Sequence, residues 1–404
     1  MNCPKIRFPE FDKSWEEVQL KDIASFYKGK GISKNETSEK GIPCIRYGEL
    51  YTKYDENITD IYSKTNLEIE NLVLSEKNDI LIPCSGETAI DLATASCVRD
   101  KNVAIGGDIT IIKTNQYAPF ITYCLNNKRT EIAKYAQGVS IVHLYAKDFQ
   151  NMKIKIPQIS EQKKIVDLFE NLNKKIDSLE KTQEKLEKLN FDLINKIMEQ
   201  NYKIPNRTYD WRRISLYKIG NSFTGLSGKN KEDFSNGNSN FIPYSSIFND
   251  IILDPSKFEQ VDINESENQN LVEKGDIFFT GSSETPDDVG MASVLLDDLK
   301  NCYLNSFCFG FRLKSSEEYN PLFLVYYFRS LKFKKELFKL AQGSTRFNIS
   351  KKELLKKEIE VPSKEDQDYY VNLINNMFAK TKHINTELCY MKNFKKGLLQ
   401  KMFV

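Results

Sequence analysis

The sequence predicts an α+β fold in which two tandem sheet-rich units are joined by two long helices that form an antiparallel coiled coil. Three observations predict it. The chain repeats itself at a spacing of about 200 residues, which is the size of a domain rather than of a solenoid repeat. Each copy carries short strand-like apolar runs broken by Gly, Asn and Ser clusters, and each copy ends on a long stretch with a heptad seam. A chain of 404 residues with 40% hydrophobic and 28% charged residues has room for more than one core and the composition to fill it. The boundaries read from these signals are 1–158 and 201–362 for the sheet-rich units, and 159–200 and 363–404 for the helices.

The repetition is specific. Trp15, Leu20, Ile23 and Gly29 recur with the same internal spacing as Trp211, Leu216, Ile219 and Gly225. EKNDILIPCSGET from Glu76 to Thr88 recurs as EKGDIFFTGSSET from Glu273 to Thr285, with seven of thirteen positions identical. The block from Ala136 to Pro157 recurs from Ala341 to Pro362, so the order is preserved and only loop lengths differ.

Within each copy, Asp79–Ile82, Ile109–Ile112 and Asp276–Phe279 read as strands, much of the sheet being antiparallel. Pro119 and Pro321 each precede an apolar, aromatic stretch of about ten residues, which suits a helix that opens on proline.

After Pro157 the texture changes to a run without Gly or Pro. Its d positions are Ile165, Leu172, Leu179, Leu186 and Leu193, and its a positions are Phe169, Ile176, Gln183, Asn190 and Ile197. The second copy has Tyr370, Met377, Ile384, Met391 and Leu398 at d, with Ile374, Thr381, Leu388, Lys395 and Met402 at a. Ser160 and Ser363 stand where N-terminal caps are expected, each followed by acids that suit the helix dipole. A helix of this length cannot hide its seam alone, and the chain supplies one other of matching length. Pairing the two antiparallel is the economical solution, with Gln183 and Asn190 setting the register; the alternative is that each helix packs on its own globular unit.

Signals of catalysis are sparse. With only His143 and His383, a histidine-rich metal site or a Cys-His nucleophile has little material. The eight cysteines are scattered without a C-x-x-C pair, no apolar run approaches the length of a membrane span, and the first residues lack the apolar core of a signal peptide, so a reduced cytoplasm is expected and no membrane partner. Asn320-Pro-Leu-Phe323 imitates the N-P-P-Y/F motif of adenine methyltransferases, yet its counterpart Tyr117-Ala-Pro-Phe120 lacks the Asn and no glycine-rich cofactor turn accompanies it. Pro286-Asp287 followed by Asp298-Leu-Lys300 imitates a P-D…(D/E)-x-K nuclease, whose acids would hold Mg²⁺, but the aligned region of the first copy offers Ala89, Lys101 and Val103. No G-x-x-x-x-G-K-[ST] sequence is present.

What remains suits nucleic acid. Loops at matching places in the two copies mix cations with Tyr, Ser, Thr, Asn and Glu, the residue types that neutralise phosphates and address base edges. In the first copy the candidate DNA-binding residues are Lys28, Lys30, Lys34, Arg46, Tyr47, Ser85, Glu87, Thr88 and His143. In the second they are Lys229, Lys231, Tyr244, Ser245, Ser246, Ser282, Ser283, Glu284, Thr285, Arg346 and Asn348. Any one of these loops alone reads as a solvated turn, so the argument rests on their recurrence. Against it stands the net charge of +2, with 58 Lys and Arg facing 56 Asp and Glu, where a free DNA binder is usually basic.

The order unit-helix-unit-helix resembles that of the specificity subunits of type I restriction-modification enzymes, over the whole chain. The points of resemblance are the opening from Pro4 to Trp15, the W-x4-L-x2-I entry of each unit, the E-K-x-D-I block, the Q-G exit toward Pro157 or Pro362, and the E-Q-x2-I entry at Glu161, Gln162 and Ile165. In the second copy that entry is degraded to Asp366, Gln367 and Tyr370. The resemblance implies that each sheet-rich unit is a target recognition domain reading one half of a bipartite double-stranded DNA site. It implies that the helix pair sets the spacer and docks two methyltransferase subunits, and that restriction subunits join the complex. It further implies no catalytic residue, metal or cofactor in this chain, S-adenosylmethionine being used by the methyltransferases and ATP and Mg²⁺ by restriction subunits. The alternatives are a stand-alone DNA-binding, coiled-coil scaffold without a methylase partner, and a P-D-(D/E)-x-K nuclease.

Overall fold

The computed structural model describes residues 3–138, 142–204, 210–264, 266–343 and 345–404. Residues 139–141 and Ser344, which belong to the repeated exit blocks, lie outside the described residues. The chain divides into two compact units, Met1–Glu180 with Thr386–Val404, and Lys181–Asn385.

In the first unit a five-stranded sheet runs in the order Ala24–Lys28, Ile109–Thr114, Asp79–Pro83, Ser96–Val98, Asn57–Ile58. All its pairs are antiparallel except the last. The repeated D-I-L-I segment lies in its middle strand, Asp79–Pro83, whose five residues are all buried, as those of a strand covered on both faces should be. A second sheet has four strands in the order Ala104–Ile105, Ile42–Ile45, Ser63–Thr65, Thr37–Ser38. The helix Ala118–Asn127, with Pro119 in its first turn, supplies Phe120, Ile121, Tyr123 and Leu125 to the same core as Trp15, Leu20 and Ile80.

The second unit repeats this plan. Gly220–Thr224, Cys308–Leu313, Ile277–Thr280 and Ala292–Val294 form one sheet in that order, all antiparallel. Glu259–Val261, Phe234–Ile242 and Cys302–Leu304 form another. The helix Pro321–Arg329 is capped by Asn320, whose Oδ1 accepts from the amides of Leu322 and Phe323 while its Nδ2 donates to Asp368. The N-P-x-F segment is therefore a helix start.

The repeated residues have structural reasons. Leu20, Ile23, Leu216 and Ile219 are all core side chains. Glycine is required at 29 and 225 because a Cβ would lie 2.0 Å from the Gly106 carbonyl oxygen in the first case and 2.1 Å from that of Asn305 in the second. The third position of E-K-x-D-I is Asn78 at φ 69° and Gly275 at φ 90°, a left-handed turn that these two residue types enter most readily. Asp79 and Asp276 close that turn by accepting from the amides of Glu76 and Glu273 at 2.8 and 2.7 Å. The entry strand of each unit pairs with its exit strand: Glu16–Gln19 with Lys153–Ile156, and Arg212–Ser215 with Glu358–Val361.

The long helices are Ile159–Met198 and Lys364–Met402. Ser363 caps the second, accepting from the Asp366 amide at 3.2 Å. The expectation for Ser160 needs correction: it lies inside the first helix, where it cannot act as the residue before the first turn. Within the first unit, Phe169 meets Phe403 at 5.9 Å between ring centroids and Glu180 meets Lys392 at 2.6 Å, so the segments run antiparallel. Within the second unit, Asn190 donates to Thr381 at 2.8 Å and the Tyr370 hydroxyl donates to the Tyr202 carbonyl, with the same sense. Asn190 and Thr381 are the buried polar pair of the seam, whereas Gln183 turns to Glu187 on its own helix and Lys395 pairs with Glu56. The seam is also shared with the sheets. Ile165, Phe169, Leu172 and Leu398 belong to the first unit's main core, and Ile197, Tyr370 and Ile374 to the second's. Leu186, Leu193, Met377, Ile384 and Met391 are half-buried, and Leu179 is buried.

Candidate nucleic-acid interface

The strongest convergence of candidate residues is in the second unit. The two-residue strand Ser282–Ser283 leaves the central sheet and pairs antiparallel with Phe347–Asn348, Ser282 opposite Asn348. Beside it, Tyr244 opens the helix Tyr244–Asn249, donates its hydroxyl to the Ser282 carbonyl at 2.8 Å and stacks on Phe248 at 6.1 Å. Burial holds the Tyr244 phenol above its ordinary range, so it stays a neutral donor. These elements enclose a depression of about 400 Å³ that Tyr244, Ser282, Ser283, Glu284, Thr285 and Arg346 line together with Phe248, Asp288 and Phe307. Thr285 is held by Asp288 at 2.6 Å. Glu284 and Arg346 are exposed.

The first unit builds the same arrangement. Ser85–Gly86 pairs with Val142–His143, and Ser85 Oγ lies 3.1 Å from His143 Nδ1. Thr88 caps the short helix Ala89–Leu92 and bonds Asp91 at 2.6 Å, the counterpart of Thr285 and Asp288. Tyr47 opens the helix Tyr47–Thr52 as Tyr244 opens its own, and is 39% exposed. Burial first, and then the charges of Tyr47, Glu87 and Asp91, raise the Tyr51 phenol above its ordinary value. His143 stacks on Tyr145 at 5.9 Å with ring planes 4° apart, and Lys147 caps the stack at 5.8 Å.

Other expected residues fall elsewhere. Arg46 precedes Tyr47 but turns inward toward Glu49 at 3.6 Å. Lys28 meets Asp108 at 3.7 Å and Lys30 reaches Asn71 at 3.5 Å, both at the surface, while Lys34 and Lys231 open exposed 3-10 turns. Three placements differ from the expectation of free contact residues. Lys229 is 6% exposed at its side chain and locked to Glu267 at 2.6 Å, because its loop folds over the acid. Ser246 is 4% exposed, on the inner face of its helix, while its neighbour Ser245 is exposed. Ser85 is 8% exposed, and its hydroxyl is engaged with His143. Sequence reasoning missed Tyr51, Tyr145, Phe248 and Phe307. Phe307, 59% exposed, was detectable as an apolar residue just outside the buried strand Cys308–Leu313.

Among the described residues no group of three or more His, Cys, Asp or Glu is placed to hold a metal ion, and no helix is long and apolar enough to cross a membrane. The arrangement offers hydroxyls, an amide, an imidazole, a carboxylate and a guanidinium at a surface with aromatic walls, chemistry suited to reading polar edges.

Comparison with known proteins agrees with this picture. The family model described as the type I restriction modification DNA specificity domain matches residues 12–188 and again 209–388. The type I restriction enzyme MjaVIII specificity subunit of Methanocaldococcus jannaschii is 25% identical over 378 residues, covering 90% of this chain and 85% of the relative. The crystal structure of a type I restriction-modification system S subunit from M. genitalium superposes with a TM-score of 0.61 at 16% identity, covering 100% of this chain and 99% of that one. A chain from a structure described as the basis of complex assembly and conformational transition of the type I R-M system gives 0.61 at 17% identity, covering 96% and 97%.

Proposed function

Because the chain belongs to the family of type I restriction-modification DNA specificity subunits, we propose that each sheet-rich unit reads one half of a bipartite double-stranded DNA site. The observation that carries this reading is the twofold construction of one loop arrangement, Tyr47, Ser85, Glu87, Thr88 and His143 against Tyr244, Ser282, Glu284, Thr285 and Asn348, on equivalent strands and helices. Equivalent scaffolds carrying different side chains are what two different half-sites require. Lys28, Lys30, Lys34 and Lys231 serve the phosphates, and Ser245, Ser283 and Arg346 extend the edge contacts of the second unit.

The long helices act as the ruler between half-sites. The first has 40 residues, about 60 Å of helix at 1.5 Å per residue, and a rigid spacer of this kind should fix the half-site separation near one turn of duplex. They also dock two methyltransferase subunits, which bring S-adenosylmethionine and take the target adenine out of the stack. Restriction subunits, where present, bring ATP and Mg²⁺. Partners that share the phosphate clamp explain why a net charge of +2 suffices here.

Two measurements test this. Mapping methylated adenines across the genome with and without this chain is expected to lose one bipartite motif. Replacing residues 1–157 by the corresponding unit of another family member is expected to change one half of that motif; a change in both halves, or in neither, refutes the assignment of one unit to one half-site.

A further inference from the structure

We propose that Glu87 and Glu284 each accept a hydrogen bond from the exocyclic N4 amino group of a cytosine, one in each half-site, and so make a contact common to both halves. This rests on the reading of the two units as DNA readers. The two loop arrangements differ at several matching points: His143 faces Ser85 where Asn348 faces Ser282, and the position of Arg346 is Ile141 in the first copy, a side chain without a donor. The glutamate is the same in both.

The structure shows that this acid is not a scaffold residue. The carboxylate that closes the loop lies further along, Asp91 or Asp288, and takes the threonine hydroxyl at 2.6 Å in both units. Glu87 and Glu284 are exposed and have no hydrogen-bond or ionic partner among the described residues. Glu284 lines the depression walled by Tyr244 and Phe307. A free carboxylate on a surface that meets a polyanion is repelled by it unless it meets a donor. An ionised carboxylate only accepts, and the duplex offers it two donors in the major groove, adenine N6 and cytosine N4. Adenine sets the N7 acceptor beside its amino group, which opposes the second carboxylate oxygen, whereas cytosine has no acceptor of its own on that edge. Cytosine therefore fits. In the second unit Arg346 lines the same depression and is the natural donor to O6 and N7 of the paired guanine.

The test is selection from a randomised duplex pool by the full chain in its methyltransferase complex, comparing wild type with Glu87→Gln and Glu284→Gln. Each variant is expected to lose roughly tenfold or more of its preference for cytosine at one position of one half-site, within the range for a single base contact. The other half-site, read by the untouched unit of the same molecule, stays as in wild type. A duplex in which that cytosine is replaced by 2-pyrimidinone, which lacks the amino group, is expected to weaken wild type by the same factor and the matching variant no further. If wild type selects a bipartite sequence but tolerates removal of every cytosine amino group, or if the variants keep every base preference, the carboxylate assignment is overturned while the DNA-reading proposal stands. If wild type selects no sequence, both fall.

Discussion

Glu161 is fully buried at the start of the first long helix, and its carboxylate accepts from Arg7 Nε and Nη2, both at 2.7 Å, and from Trp15 Nε1 at 3.2 Å. Arg7→Ala would strand that charge with one neutral donor. Removing one partner of a buried pair costs about 3–5 kcal/mol, and the lower end applies because the Arg7 side chain is 14% exposed and water can follow it in. Glu161→Gln keeps an acceptor for Trp15 and removes the charge, so its cost is about 1–2 kcal/mol. The double variant should cost less than the sum of the singles, with a coupling of about 1–2 kcal/mol, since the residues share one network. The chain's two tryptophans allow the measurement: in a Trp211→Phe background Trp15 fluorescence reports the first unit alone. With an m-value of roughly 2 kcal/mol/M, Arg7→Ala should lower the urea midpoint by about 1–2 M. A shift worth under about 0.5 kcal/mol, within the range of ordinary surface substitutions, or strictly additive single variants, would refute the claim that this ion pair anchors the helix.

Four further outcomes are expected. Asp276→Asn should destabilise the second unit by about 1.5–3 kcal/mol, because Arg312 grips both oxygens of Asp276 at 2.8 Å, and Trp211 fluorescence after Trp15→Phe measures it. The equivalent Asp79 faces Lys113 rather than Arg, and burial holds its carboxyl above the ordinary value of 3.8. The protonated form is the one folding favours, so that contribution is present below pH 3.8 and is lost as pH rises through the folded value. Asp79→Asn should therefore raise the first unit's urea midpoint at pH 7 and lose that advantage toward pH 4; a gain independent of pH would contradict the sign. Asn190→Leu with Thr381→Val removes a buried polar pair in which Asn190 Oδ1 has no partner among the described residues, and should stabilise the second unit by about 1–2 kcal/mol in the same urea titration. A lower midpoint would show that the pair stabilises the fold itself. Inserting one helical turn between Ser178 and Asn190 and in the matching stretch of the second helix adds about 5.4 Å, and should lengthen the spacer of the methylated motif by roughly one to two base pairs. An unchanged spacer would sink the ruler.

The duplication, the strands around Asp79 and Asp276, and the helices opened by Pro119 and Pro321 are legible in the sequence because they rest on local chemistry: apolar period, turn residues and proline. The alternation of Asn78 with Gly275 and the recurrence of Gly29 as Gly225 are visible as letters, and the backbone explains them. Asn320 is different. Its neighbour Pro321 carries the helix signal, while the cap itself emerges only from the bonds of Asn320 to Leu322, Phe323 and Asp368, the last of them on another element. Much of the candidate interface is likewise hidden, since Phe248, on the helix Tyr244–Asn249, and Phe307, just before the strand Cys308–Leu313, reach the depression from separate elements that no local pattern ties to Ser282 or Arg346.

By itself the sequence determined that one unit had been built twice and that each copy is followed by a long helix. Periodicity and spacing are properties of the chain that survive without coordinates. Only the tertiary structure decided how the seam is used. Asn190 faces Thr381 while Gln183 turns away, and Phe169 and Tyr370 serve both the helix pairing and the cores of the sheets. It also decided which charges are free. Lys229 and Glu284 look alike as loop residues, but one is buried against Glu267 and the other lines a depression with no partner among the described residues. The partner of Lys229 is 38 positions away in the chain, and a pairing at such a distance leaves no periodic trace.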